Sequence, residues 1–229
     1  MKRFLKVAVL VTFIVITCAM NAFAWEVVYD ASAGLLPAGA SPAWTSVILG
    51  DNTAAVSDGV LRIQHVTGSS YYSREEWAIS AGIPVTMEAR MRVGASSIGA
   101  PRLSIQTKGC YAYLKIYPDH LAAIDYSGGG SMIFSGDFTT FRTIRLAYDG
   151  NNRMYAWVDG QPAFSGGTGY SGQDGVNFGS YLGVEPCDSY WQYVAYSKEF
   201  LPVPEPSSLL ALAGGLAGLG GMALRRRKR

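Results

Sequence analysis

The sequence predicts an all-β domain over residues 25–201, folded as a two-sheet antiparallel jelly-roll sandwich. Three observations carry this. Val85-Thr86-Met87-Glu88-Ala89-Arg90-Met91-Arg92-Val93 alternates apolar and polar without a break, so odd positions face a core and even positions face solvent. Turn signals separate the short runs: Asp58-Gly59, Ser127-Gly128-Gly129-Gly130, Asp149-Gly150-Asn151-Asn152 and Asp159-Gly160. No long stretch of this part shows a helical period, and no internal repeat is visible.

The elements follow in order. Trp25 to Asp30 is an opening strand, and Gly59 to His65 and Ser70 to Trp77 form the next pair. After Val85–Val93, Leu103-Ser104-Ile105 and Ala112-Tyr113-Leu114-Lys115-Ile116 keep the two-residue period. So do Ile144-Arg145-Leu146-Ala147-Tyr148 and Met154-Tyr155-Ala156-Trp157-Val158. Tyr190 to Ser197 closes the domain. Many short strands between such turns make a sandwich, because each strand has one apolar face to bury against a second sheet.

One segment narrows the type. A strand ending in Tyr148-Asp149 leads to a strand ending in Val158-Asp159-Gly160. This hairpin pair resembles that of laminin-G-like and concanavalin A-like jelly rolls, and Tyr190–Ser197 resembles their final strand. The resemblance implies the fold. It does not imply an activity, because lectins, hydrolases, lyases and adhesion modules share it.

The two ends read as targeting segments. Residues 1–24 form a signal peptide, with basic Lys2, Arg3 and Lys6, an apolar Val7–Met20 helix and an Ala22-Phe23-Ala24 cleavage site. The mature chain is expected to start at Trp25. Residues 202–229 form a tail: Val203-Pro204-Glu205-Pro206, an apolar run from Leu209 to Leu224 and five basic residues. The run is near the lower length limit for a transmembrane helix, and its basic end should stay in the cytoplasm. Pro204 and Pro206 keep the motif extended, as a processing enzyme requires. The tail resembles the PEP-CTERM sorting signal of Gram-negative bacteria. That resemblance implies an exosortase as processing partner and export through the inner membrane. It also implies a stay in the membrane until processing, then residence at the cell surface or in the matrix. A plain membrane anchor that is never cut is the alternative.

Between Trp25 and Leu201 there are 11 Lys/Arg against 16 Asp/Glu, a net charge of −5. The positive balance of the whole chain is therefore a property of its ends. No basic patch suits nucleic acid. Cys110 and Cys187 remain after signal cleavage and suggest one disulfide in an oxidising compartment. Such a bridge would close a loop of roughly 78 residues, worth about 4 kcal/mol in loop entropy. Two separate buried thiols are the alternative. No His stands near either at metal-ligand spacing, so no metal site is assigned. Calcium stays unassigned, with Asp30, Asp119, Asp149 and Asp188 as strand-end oxygens, and no other cofactor is implied.

Carbohydrate modules stack sugar rings on aromatic side chains. Tyr111 and Tyr113 share one strand face, Tyr155 and Trp157 another, and Trp191 and Tyr193 a third. On neighbouring strands the six would form a glycan-binding platform; equally, aromatics fill sandwich cores. Glycoside hydrolysis needs two facing carboxylates, and the chain has no such strand motif. Glu75 and Glu76 are adjacent, so they point to opposite faces of a strand, and Glu88, alone among Arg90 and Arg92 on a polar face, suits cross-strand charge pairing. His65 and His120 read as structural. Thr139, Thr140 and Thr143 make no flat array of the kind that binds ice. The sequence thus favours a non-catalytic module for extracellular polysaccharide. A structural matrix or envelope protein comes second, and a diverged polysaccharide hydrolase or lyase third.

Overall fold

A computed structural model describes residues 25, 27–74, 82–107, 110–127, 130–169, 175–183 and 185–201. The expected signal peptide with Ala22 and Ala24, the tail with Val203, Pro204, Glu205 and Pro206, and Glu75, Glu76 and Trp77 lie outside these residues. Among the described residues, no helix is long and apolar enough to cross a membrane.

The described chain forms fifteen strands in two antiparallel sheets. The first sheet runs β13 (Gln161–Gly167), β12 (Arg153–Val158), β11 (Arg142–Tyr148), β6 (Val85–Val93), β15 (Cys187–Ser197), β4 (Val60–His65) and β3 (Thr53–Ser57), with β1 (Val27–Asp30) also on β15. The second runs β10 (Gly130–Ser135), β9 (His120–Asp125), β8 (Cys110–Ile116), β7 (Arg102–Thr107), β14 (Gly175–Gly183), β5 (Gly68–Arg74) and β2 (Thr45–Ile48). The predicted hairpins form for the predicted reason. Asp58-Gly59 and Asp159-Gly160 have φ of 52°, 72°, 49° and 79°, the doubly left-handed pair that a two-residue hairpin demands.

Strand β6 obeys its alternation: Val85, Met87, Ala89, Met91 and Val93 are fully buried between the sheets. The centre of the core is aromatic. Phe178 packs edge-on to Trp44 at 5.1 Å and lies 5.0 Å from Trp191. Trp44 also meets Tyr196 edge-on at 6.1 Å.

Thr86 breaks the pattern, being fully buried although it points away from this core. The chain leaving β15 explains it. Residues 198–201 fold back across the outside of the first sheet. Thr86 Oγ1 donates to the Glu199 carbonyl at 2.7 Å and accepts from the Leu201 amide at 2.9 Å. Arg145 donates to the Leu201 carbonyl at 3.0 Å, and Leu201 is buried. Residues 198–201 thus form a docked strap on the outside of the first sheet.

The expected Cys110–Cys187 bridge is not made: Cys187 carries a free, buried thiol. The two cysteines open strands of different sheets, Cys110 opposite Thr107 and Cys187 opposite His65. Burial pushes the Cys187 thiol up to about 11, with a Ser180 hydrogen bond opposing.

Candidate functional site

The three aromatic pairs do not share a platform. Tyr111 and Tyr113 alternate with the core residues Ala112, Leu114 and Ile116, so they face outward from the second sheet. Tyr155 and Trp157 alternate with Met154, Ala156 and Val158, so they face outward from the first sheet, on the other side of the sandwich. There the strap covers them, with Phe200 5.3 Å from Tyr155 and 6.5 Å from Trp157.

The third pair is split. The register of β15 on β6 shifts between Trp191 and Tyr193, a bulge that inserts one residue and reverses the facing. Trp191 is 0% exposed and donates from Nε1 to Ser189 Oγ at 2.9 Å. It cannot meet a sugar. Tyr193 faces outward and its hydroxyl donates to Glu88 at 2.8 Å. Glu88 also takes two hydrogen bonds from Arg145, at 2.6 and 2.9 Å, the cross-strand pairing that its sequence neighbours predict.

The outer face of the second sheet holds the other assembly. Strand pairing aligns side chains from β8, β7 and β14 in rows. Tyr113 stands opposite Ser104, and Ser104 opposite Asn177. On one side of this row lie Tyr111, Gln106 and Gly175. On the other lie Lys115, Arg102 and Gly179, followed by Tyr71. Gly179 has φ of 116°, and a Cβ there would sit 2.6 Å from the Ser70 carbonyl, so the position stays bare between Arg102 and Tyr71. On this face Ser104, Gln106 and Tyr113 are buried, at 2%, 5% and 8% exposure, and Tyr111, Asn177, Arg102 and Lys115 are half-buried.

The floor is held in place. Tyr111 and Tyr113 rings lie 4.8 Å apart, and Arg102 sits 5.4 Å from the Tyr113 centroid. Ser104 donates to Asn177 Oδ1. The Tyr113 hydroxyl hydrogen-bonds Tyr126, and burial first, then Tyr126 and Tyr111, push its pKa up to about 12. Lys115 is shifted down, first by burial and then by Arg102, with Glu185 opposing. Arg102, Ser104, Gln106, Lys115 and Asn177 do not stand out as site residues in the sequence. Their alternation with Leu103, Ile105, Leu114 and Val176 marks them as outward, but the pairing that gathers them is long-range.

The remaining polar residues are structural. His65 is buried, with Nδ1 3.1 Å from Ser70 Oγ. His120 stacks on Tyr117 at 4.4 Å and meets Asp119 at 2.7 Å. Asp30 caps Ser32, Asp149 caps Asn151, and Asp188 pairs with Arg62, so these carboxylates are dispersed. Among the described residues, no group of three or more His, Cys, Asp or Glu could hold a metal.

Comparison with solved structures places the fold. The cellulose induced protein Cip1 superposes with a TM-score of 0.56 at 9% identity, over 77% of this chain and 99% of that one. A Crh5 transglycosylase in complex with NAG gives 0.53 at 12%, over 76% and 85%. A sialidase gives 0.52 at 12%, over 67% of this chain, which spans only 17% of the sialidase. At such identities the likeness is one of fold alone. No curated protein sequence matches the chain. Residues 202–228 match the PEP-CTERM protein-sorting motif. The chain is therefore a jelly-roll sandwich of two antiparallel sheets that carries a PEP-CTERM sorting motif.

Proposed function

We propose that this is an exosortase-sorted surface protein whose sandwich binds extracellular polysaccharide without cleaving it, through the outer face of the second sheet. The observation that carries the reading is the Tyr113–Ser104–Asn177 row, with Tyr111 beside it and bare Gly175 and Gly179 flanking Asn177. Sugars are recognised by ring stacking and by neutral hydrogen-bonding groups, and this face offers the half-buried Tyr111 for the first and the half-buried Asn177 for the second, with Ser104 and Gln106 buried. Its described strand positions carry Tyr, Ser, Gln, Asn, Arg and Lys, and no carboxylate of the kind a glycosidase uses in pairs. The sorting motif makes an exosortase the processing partner and the cell surface the destination.

A second reading, a matrix or envelope protein that binds no sugar, is favoured by the low exposure of Tyr113, 8%. Affinity electrophoresis of the detergent-solubilised full chain in the producer's exopolysaccharide separates the two. Retardation that falls about tenfold or more in Tyr111→Ala supports the binding face. Absence of retardation leaves the structural reading, and shortening of the polymer makes the protein an enzyme.

A further inference from the structure

The proposed glycan face carries a charge arrangement that a neutral sugar does not explain. Lys115 on β8 and Arg102 on β7 stand directly opposite one another, on the same outward side as Tyr113. Like charges in that position repel and destabilise the pairing. Nothing in their row relieves them: beyond Lys115 lies Ala122, and beyond Arg102 lies the bare Gly179.

On the opposite sheet Arg90 is met by Gln192 and Arg92 by the Tyr190 ring, but three arginines there have carboxylate partners. Arg62 pairs with Asp188 at 2.9 Å, Arg142 with Asp159 at 2.8 Å, and Arg145 with Glu88 at 2.6 Å. Lys115 and Arg102 make no such ion pair among the described residues. Glu185, in the turn before β15, offsets part of the effect of Arg102 on Lys115 but is not ion-paired with it. The domain as a whole is acidic, with 16 Asp/Glu against 11 Lys/Arg over residues 25–201, so acids are available in the chain but not spent on this pair.

Arg102 is also prepared for an anion. Its guanidinium lies 5.4 Å from the Tyr113 ring centroid, and a ring-stacked guanidinium keeps its planar fork of N–H donors for a bidentate acceptor. A hexose ring stacked on Tyr111 would bring an attached acidic group to this row.

We infer that the face is built for an acidic polysaccharide, with a carboxylate or sulfate of the sugar held between Lys115 and Arg102. This rests on the reading of the face as a glycan site, and deepens it to an anionic ligand class. The anion removes the repulsion between the two cations, while the half-buried Tyr111 carries the ring.

Affinity electrophoresis of the full-length chain in detergent tests it. The gels contain polygalacturonate, alginate, chondroitin sulfate, dextran or hydroxyethyl cellulose. Retardation by acidic polymers is expected to exceed that by neutral ones about tenfold, and to weaken as salt rises from about 50 to about 500 mM. Arg102→Gln and Lys115→Gln should each lower it about three- to tenfold and flatten the salt dependence. Arg153→Gln, on the other sheet, should change neither. Both charge variants should melt no lower than the unaltered protein, because each removes a repulsion. Retardation by polyuronates alone or by the sulfated chain alone supports the inference and names the anion. Equal retardation by neutral polymers, unchanged in the two variants, overturns the acidic ligand and leaves the glycan reading standing. A loss of retardation in Arg153→Gln as large as in Arg102→Gln overturns the placement of the site. No retardation in any gel overturns both.

Discussion

Trp191 and Tyr193 lie two residues apart on one strand and face opposite sides of the first sheet, Trp191 the core and Tyr193 the outside. The bulge between them gives β15 two functions. Before it, Trp191 fills the aromatic centre of the core against Phe178. After it, Tyr193 joins the Glu88–Arg145 pair on the outside. Val194 and Tyr196 then return to the core in the shifted phase.

Trp191→Ala should accordingly act on stability. Removing a fully buried indole costs about 3–5 kcal/mol, and it leaves the Ser189 hydroxyl without its donor. Chemical denaturation should show a lower midpoint. The folded fraction should migrate in polysaccharide gels as the unaltered protein does.

Thr86→Val is nearly isosteric and removes both hydrogen bonds to the strap. The expected cost is about 1–3 kcal/mol for two bonds, localised rather than global. Limited trypsin digestion should cut after Lys198 much faster than in the parent, with an unchanged core fragment. Equal cutting rates would show that Phe200 packing alone holds the segment.

Asp125 ties the end of β9 to β13. Its Oδ1 accepts from the Ser127 hydroxyl at 2.6 Å, the Ser127 amide at 2.9 Å and the Gly167 amide at 2.7 Å. These bonds, the Ser127 hydroxyl first, hold its carboxyl below the usual range. A depressed folded-state value stabilises the protein above the ordinary carboxylate range, and that contribution is lost as pH falls through the folded value. Melting temperatures from about pH 7 to about pH 2 should drop on the acid side, and Asp125→Ala should flatten that limb.

Cys187 should be inert in the native state. A thiol raised to about 11 and 4% exposed offers almost no thiolate at neutral pH. Iodoacetamide at about pH 8 should label it only after denaturation. A Cys110–Cys187 cross-linked peptide from unreduced protein would contradict the free thiol.

Several of these features are legible in the amino-acid sequence itself. The alternation of Val85–Val93 predicts the core of β6 and the pairing of Glu88. The two Asp-Gly hairpins follow from backbone conformation, which is local. What escapes is whatever depends on counting or on distant neighbours. A period-two reading cannot see the residue inserted at the β15 bulge, so Trp191 and Tyr193 look equivalent. It cannot see the strap either, so Thr86 looks exposed. Nor does it reveal strand order, which sets Tyr111 and Tyr155 on opposite sides and assembles Lys115, Arg102, Ser104 and Asn177 from three strands.

The meeting of chain ends on Arg145 has a mechanical meaning. Its guanidinium lies 5.4 Å from the Trp25 ring and also holds the carbonyl of Leu201, so both ends of the sandwich are gathered at one spot on the first sheet. A pull on the chain beyond residue 201 is delivered there, to a strap laid against the outside of that sheet, and not to the second sheet. The face with Tyr111 and Tyr113 is the far side of the sandwich, about one sheet spacing of roughly 10 Å plus side chains away. The two chain ends therefore load one surface of the sandwich and leave the outer face of the second sheet free of that load.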